Sequence, residues 1–403
     1  MMKCKPFLFA GILWLCALID VHAVEAPTGF HYINTSFENA SPLHWDIREN
    51  GVIHLHLLYD HERNSPNRAA GHWFFRVEGE KGSTFRFVIT NLENVWNKKK
   101  ASPAKEKTIC LKSTDGKQWV AFETELLEGH RLGFDLTMQA DRMYIARVEP
   151  YRISDLQALF NKVESSDIGS ITPIGQTAQG RELEIIAIDP YNAPHRVFIR
   201  ARAHPWEPGG NWVVQGLVHE LINNPENAKR FLQRFAVYIL PMANKDGVAK
   251  GWTRFNVHGM DLNRNWDKPA NPDLCPENHF LEQWLQTMIE KNKKPDLALD
   301  FHNDQGGRLH ISRPNINLER YLANAKRFEE LLYQHTFFTE GATGGNFRNP
   351  GTIGEGLLER FGIDGFVFEL NANWIAGIND YPHGKHWETL GKQLLNVFYE
   401  YFK

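Results

Sequence analysis

The sequence predicts an α/β fold: a doubly wound, mostly parallel mixed sheet with helices on both faces, preceded by a β-sandwich-like domain. Three observations carry this. Residues 151–403 alternate apolar runs of strand length with stretches whose apolar positions recur at helical spacing. Residues 24–150 hold many short alternating runs broken by turn signals. The length, 403 residues, exceeds one typical domain. The expected division is a signal peptide at 1–23, a β-sandwich-like accessory domain at 24–150 and a strand–helix domain at 151–403.

The N-terminus has its own logic. Lys3 and Lys5 precede an apolar run from Phe7 to Ile19, and Val21-His22-Ala23 supplies small residues for cleavage. This predicts export to the periplasm or beyond the cell, with no membrane span left after cleavage, because the apolar run is too short for a stable anchor. Cys4 and Cys16 would leave with that peptide. Cys110 and Cys275 remain far apart, and are expected as buried, unpaired small apolar residues. A formal charge of -3 carries no signature for nucleic acid. Nothing in the pattern sets an oligomeric state.

In the first half, Val52–Leu57, Trp73–Val77, Thr84–Ile89, Thr108–Leu111, Trp119–Phe122, Leu132–Leu136 and Met143–Ala146 read as strands. Glu78-Gly79-Glu80, Asp115-Gly116 and Glu128-Gly129 are turn signals between them. Lys98–Lys105 reads as a solvated loop. No ligand constellation stands out, so this half is expected to shape one rim of a cleft.

In the second half, Ser154–Ser165 reads as a helix and Leu183–Ile188 as a strand. Arg196–Ala201 is a strand, and a helix takes over from Trp212. Strands follow at Phe235–Leu240, Leu297–Phe301 and Gly365–Glu369, with helices at Phe280–Glu290, Leu318–Gln334, Gly354–Phe361 and Trp387–Phe402. In such sheets ligands bind beyond the carboxyl ends of the strands.

That is where the chemistry-bearing residues fall. In Arg202-Ala203-His204-Pro205-Trp206-Glu207-Pro208-Gly209, His204 and Glu207 sit between a strand end and a helix start. The prolines keep them out of a regular helix. An imidazole and a carboxylate three residues apart can close on one divalent ion. His302, at the end of Leu297–Phe301, is the best third ligand, which leaves one coordination place open. His258, His310 and His335 lack that context and are expected on the surface or in loops.

Between the ligand segments run Arg254-Phe255-Asn256 and Asp261-Leu262-Asn263-Arg264-Asn265. The ordered set of H-x-x-E, an arginine eight residues before N-R, a strand-end histidine and a C-terminal F-E resembles the funnel-type zinc metallocarboxypeptidases. The likeness spans nearly all of residues 170–400. The first half, with Ile89-Thr90-Asn91, Ser113-Thr114-Asp115-Gly116, Trp119 and Glu149-Pro150-Tyr151, resembles the N-terminal domain of the cytosolic carboxypeptidase subfamily. The resemblance implies one Zn2+ per chain on His204, Glu207 and His302. It implies Asn263 and Arg264 for the substrate's terminal carboxylate, Arg254 for the polarised carbonyl, and Glu369 as general base. The implied partners are peptide or protein C-termini.

A guanidinium fork suits a carboxylate, and a positioned Glu suits proton transfer. Two other readings stand beside this one: a zinc amidase on N-acyl amino acids or cell-wall peptides, and a non-catalytic peptide-binding protein. One departure feeds the last. The family usually carries a tyrosine about twenty residues before the base, whereas Glu340–Gly356 holds none, with Phe347 and Arg348 near that place. Lys245, Arg308, Arg313 and Arg348 are specificity candidates by charge alone.

Overall fold

The computed structural model describes residues 25–48, 50–61, 63, 65, 67–105, 108–344 and 351–403. The expected signal peptide, together with Phe347 and Arg348, lies outside the described residues. No helix among the described residues is long and apolar enough to cross a membrane.

The β-rich part holds β1 (Phe30–Asn34), β2 (Leu43–Ile47), β3 (Ile53–Leu57), β4 (Phe74–Gly79), β5 (Thr84–Thr90) and β6 (Asn94–Trp96). It continues with β7 (Lys99–Ala101), β8 (Ile109–Ser113), β9 (Val120–Glu123), β10 (Glu125–Leu127), β11 (Arg131–Thr137) and β12 (Arg142–Ala146). Two five-stranded sheets form, in the orders β1-β4-β12-β8-β9 and β10-β11-β5-β3-β2. Their inward residues share one core that includes Ile53, Leu55, Phe75, Val77, Phe85, Phe87, Phe134 and Ile145. Alternate positions along each strand supply it, as a half-buried pleated surface requires. Cys110 is buried here and Cys275 in the second part, both free. Trp73 donates its indole N–H to Cys110 Sγ at 3.2 Å. The lysine-rich stretch departs from expectation: Lys99–Ala101 pairs with Asn94–Trp96 as a small hairpin.

The second part runs α1 (Ile153–Glu164), β13 (Ser170–Gln176), β14 (Glu182–Ile188), β15 (His195–Ala201), α2 (Gly209–Asn223), α3 (Pro225–Leu232), β16 (Phe235–Leu240) and α4 (Lys245–Ala249). Then come α5 (Pro276–Glu290), β17 (Leu297–Asp304), β18 (Leu309–His310), α6 (Leu318–His335), α7 (Ile353–Phe361), β19 (Asp364–Asn371) and α8 (Gly384–Tyr401). The sheet order is β13-β14-β16-β15-β17-β19-β18. The middle strands β16, β15, β17 and β19 are parallel, and the flanking pairs are antiparallel. The result is the expected mixed sheet.

Period-two alternation divides this sheet's residues between two cores. Val197, Ile199 and Ala201 of β15 and Leu297, Leu299 and Phe301 of β17 join α2, α6 and α8. Phe198 and Ala298 point the other way, towards Leu281 and Leu285 of α5 and Leu357 of α7. Helices α2 and α8 approach so closely that a Cβ on Gly391 would lie 2.0 Å from Val213 O. Glycine is therefore required there by packing, despite its cost within a helix.

The two parts meet along buried polar contacts. Asp60 accepts from the backbone N–H groups of Thr253, Arg254 and Phe255. Thr253 Oγ1 in turn accepts from the N–H groups of Gly71 and His72. Arg147 donates to Ala372 O and to Asn373 Oδ1.

His72 is buried at this junction, where Nε2 lies 3.0 Å from Asn39 O. Burial, with Arg202 adding to it, pushes its imidazole down to about 4 although the Asn39 carbonyl opposes. The unfolded chain takes up that proton near ~6.5 and the folded chain only near 4, so this group's contribution is complete above the unfolded value and is lost on acidification. The stability gap between wild type and His72→Gln should narrow by about 2–3 kcal/mol from neutral pH to the acid end of that window. Denaturant unfolding at the two pH values checks this, and a gap that does not change contradicts it.

Candidate active site

Strand register builds the site. Across β15 and β17, Arg200 faces Asp300, and across β17 and β19, His302 faces Glu369. These residues share the face that carries Phe198, Ala298 and Val367, so a buried polar row runs over an otherwise apolar layer. Arg200 grips Asp300 bidentately, with Nε–Oδ1 at 2.7 Å and Nη2–Oδ2 at 2.6 Å. Asp300 Oδ2 then accepts from His302 Nε2 at 2.6 Å.

The loop after β15 delivers the other two expected ligands. Arg202 adopts φ +62, an unfavourable region for a side-chain-bearing residue, and its buried guanidinium holds the turn. Nε donates to Pro205 O at 2.7 Å and Nη1 to Asn211 Oδ1 at 3.0 Å. Gly209 N–H donates to Asn303 Oδ1 and seats the start of α2 against β17. His204 and Glu207 thereby enter the cleft on a fixed turn, closed by Glu207 N–H donating to His204 O.

His204, Glu207 and His302 converge, all buried. His204 Nδ1 lies 2.9 Å from Glu207 Oε1, His302 Nδ1 lies 2.7 Å from Glu207 Oε2, and the two Nδ1 atoms are 3.0 Å apart. The far sides of both rings are committed, His204 Nε2 to Asp261 Oδ1 at 3.1 Å and His302 Nε2 to Asp300. Carboxylates on the far nitrogens fix the tautomer with hydrogen on Nε2 and leave the Nδ1 lone pairs facing each other and Glu207. Such a convergence of electron pairs is repulsive unless a cation or protons sit among them. The donor set and its outer carboxylates fit a zinc site. Although burial opposes it, Asp300 and Glu207 hold the His302 imidazole well above its usual range. A metal ion taking this place would therefore displace a proton.

Glu369 stands beside the set. Burial first, then the neighbouring charges of Asp304 and Glu207, push its carboxyl well above the usual range, while His302 and Arg254 oppose. Its Oε2 is buried with no hydrogen-bond partner. A buried carboxylate oxygen left open towards a cleft is one of the few arrangements in which such an orphan has a use.

The arginines line the same cleft, whose volume is about 510 Å3. Arg254 donates through Nε to Asp261 Oδ2 at 2.7 Å, so one carboxylate positions both His204 and Arg254. Arg264 donates from Nη1 to Asn263 O at 2.7 Å. Asn263 is turned inward: its Oδ1 accepts from Ile353 N–H and its Nδ2 lies 3.3 Å from His302 Nε2. The structure thus brings together all seven residues expected from the sequence: His204, Glu207, His302, Arg254, Asn263, Arg264 and Glu369. Of the residues considered for specificity, Lys245 is paired with Glu184, and neither Arg308 nor Arg313 is among the residues lining the cleft. His310, expected away from the site, lines the cleft instead. It ends the short edge strand β18, which a two-residue run could not announce.

Several residues went unnoticed in the sequence. Asp261 lies in the same short run as Asn263-Arg264, and Asp300 lies two before His302; same-face placement along a strand is the signal that marks Asp300. Trp96 carries no local signal at all. From the hairpin β6–β7 it lays its ring against the Arg254 guanidinium at 4.4 Å and the Arg264 guanidinium at 5.5 Å. The β-rich part thus furnishes a wall of the cleft.

Fold and donor set together define the class: a mixed α/β sheet with a His–Glu–His cation site at its strand ends. Residues 156–305 match the zinc carboxypeptidase family, and residues 33–148 match the cytosolic carboxypeptidase N-terminal domain. The chain joins a zinc carboxypeptidase domain to a cytosolic carboxypeptidase N-terminal domain. Mouse cytosolic carboxypeptidase 1 is 31% identical over 40% of this chain and 15% of its own length. Human cytosolic carboxypeptidase 2 is 24% identical over 64% of this chain and 32% of its length. The chain therefore spans well under half of these relatives. Among solved structures, a metallo-carboxypeptidase from Burkholderia cenocepacia shares the fold at TM-score 0.79 and 21% identity, covering 92% of this chain and 98% of that one. One from Pseudomonas aeruginosa does so at 0.78 and 21%, covering 93% and 100%.

Asp261→Asn should weaken zinc binding by roughly 10–100-fold, the usual scale for losing an outer carboxylate. Competition against a chromogenic chelator measures this. Unchanged affinity would remove Asp261 from the site's support.

Proposed function

We propose that this chain is a zinc-dependent metallocarboxypeptidase that removes residues from peptide or protein C-termini. The observation that carries the reading is the pair Arg254 and Arg264, held over a shared aromatic wall within the cleft that also holds His204, Glu207 and Glu369, with His302 converging on the first two from behind. Two fixed cations beside a metal-ligand set suit a substrate that ends in a carboxylate.

The fork of Arg264 pairs with the terminal carboxylate and so measures where a chain ends. Arg254, anchored through its Nε by Asp261, keeps its terminal nitrogens for the oxygen on which charge develops during attack. Asn263 lines the cleft beside Arg264 and accepts from Ile353 N–H, which ties this wall to the start of α7. A zinc ion bound there would be held by His204, Glu207 and His302 and would supply Lewis acidity and a lowered pKa for water. Glu369 accepts the attacking water's proton at its unpartnered Oε2 and returns it to the leaving amine nitrogen. To accept that proton the carboxyl must be ionised, which the positive charge of a cation on the ligand set would favour against its burial. The Trp96 wall and the hairpin around it narrow the entrance and exclude water from the arginines. Export ahead of this chemistry belongs to the same proposal and rests on the charged and apolar pattern of residues 1–23.

Incubation with a mixed peptide library, read by mass spectrometry, should show single residues leaving from the C-terminus. Peptides blocked as C-terminal amides should be spared; undiminished cleavage of these would contradict carboxylate recognition and favour an amidase. Glu369→Gln should keep its zinc while turnover falls on the order of a hundredfold or more. Near-wild-type turnover of that variant, with zinc bound, would remove the base.

A further inference from the structure

A second group of ligand-type side chains lies on the β-rich part, in a strand pair that contributes no residue to the lining of the cleft. Strands β2 and β3 pair antiparallel, with His44 opposite His56 and Asp46 opposite His54. All four side chains therefore stand on one face of the sheet, where directly opposed residues are near neighbours. Asp46, His54 and His56 place ligand atoms within 4.8 Å of one another.

The hydrogen bonds around His56 decide what these atoms need. Thr90 Oγ1 lies 3.1 Å from Leu55 O and 2.8 Å from His56 Nδ1. With its one hydrogen on Leu55 O, it accepts from His56 Nδ1. The other ring nitrogen, Nε2, lies 3.1 Å from Asp46 Oδ2. In that neutral tautomer Nε2 is a lone pair facing a carboxylate, an arrangement that a cation between them satisfies. His44 stacks on His56, with centroids 4.5 Å apart and planes 11° apart, and fixes the ring's plane. Arg48 Nε sits 3.0 Å from Asp46 Oδ1 as an ion pair without a hydrogen bond, and Oδ2 is the oxygen that faces His56. His54 is kept in the form that ligates: burial first, then Arg48, lower its imidazole pKa, against the pull of Asp46.

We propose that Asp46, His54 and His56 form a second transition-metal site, which takes Zn2+ or a similarly borderline divalent cation independently of the cleft. Two imidazoles and a carboxylate are a zinc-type donor set with one coordination place left for water. Thr90 has the part of the outer hydroxyl that orients a ligating ring. β2 is the outermost strand of its sheet, so the ion clips an edge strand to its neighbour. The proposal does not depend on the carboxypeptidase reading.

The test is zinc stoichiometry of the full chain near neutral pH, by titration calorimetry with Zn2+ and by elemental analysis after gel filtration. Wild type should hold about two equivalents. His54→Gln/His56→Gln should lose one of them with peptidase turnover unchanged. His204→Ala/His302→Ala should lose the other and keep this one. A His204→Ala/His302→Ala variant that binds no Zn2+ under excess, or a His54→Gln/His56→Gln variant with the wild type's full stoichiometry, overturns the proposal. In the unmodified protein, 15N-labelled imidazole resonances of His54 and His56 should shift as the second equivalent binds. Resonances that stay in place under excess Zn2+ overturn it too, and identify the contact as an imidazolium–carboxylate pair.

Discussion

The bidentate Arg200–Asp300 pair, buried between two parallel strands, is the interaction on which the site depends. A charge pair in an apolar layer is expensive, and replacing such pairs with packed hydrophobic residues is often neutral or stabilising. Its use here is positional. Arg200 fixes the Asp300 carboxylate, Asp300 fixes the hydrogen on His302 Nε2, and the ring then presents Nδ1 to His204 and Glu207. Asp261 repeats the device for His204 from a loop, while it also restrains Arg254. Each histidine's lone pair is thus set by a carboxylate behind it. A cation at the point of convergence would offset the cost of burying these charges.

The second constraint is the junction between the two parts. Asp60 ties down the backbone of Thr253–Phe255, the segment that carries Arg254, from the β-rich side. Trp96 covers the guanidinium of the same arginine from its hairpin, a contact whose worth grows as the cleft is desolvated. The cleft-lining arginines therefore depend on both parts, and the β-rich part builds the cleft as well as flanking it.

Much of this was legible from the sequence. Strand–helix alternation, the turn Arg202–Gly209 and the strand-end positions of His302 and Glu369 follow from local periodicity, so the sheet and the three candidate ligands emerged together. What stayed hidden depends on pairing between distant segments. Trp96 sits in a short strand beside a lysine run whose composition suggests solvent, and only the sandwich brings it to the arginines. His310 ends a two-residue strand. Asp46 and His54 become neighbours through antiparallel register, which period-two patterns do not specify across strands. Asn263 lines the cleft, and what its neighbours in sequence do not show is that its Oδ1 is held by the Ile353 N–H, ninety residues away in the chain.

The central claim is that the two Nδ1 atoms and the Glu207 carboxylate are arranged for a metal ion. The most direct measurement is anomalous diffraction at the zinc edge from crystals of the zinc-loaded protein. The account predicts a peak about 2.0–2.2 Å from Nδ1 of His204, Nδ1 of His302 and an oxygen of Glu207, with Asp261 and Asp300 still on the Nε2 atoms. Coordination through Nε2, or a cleft without a peak at full zinc occupancy elsewhere in the molecule, would contradict it.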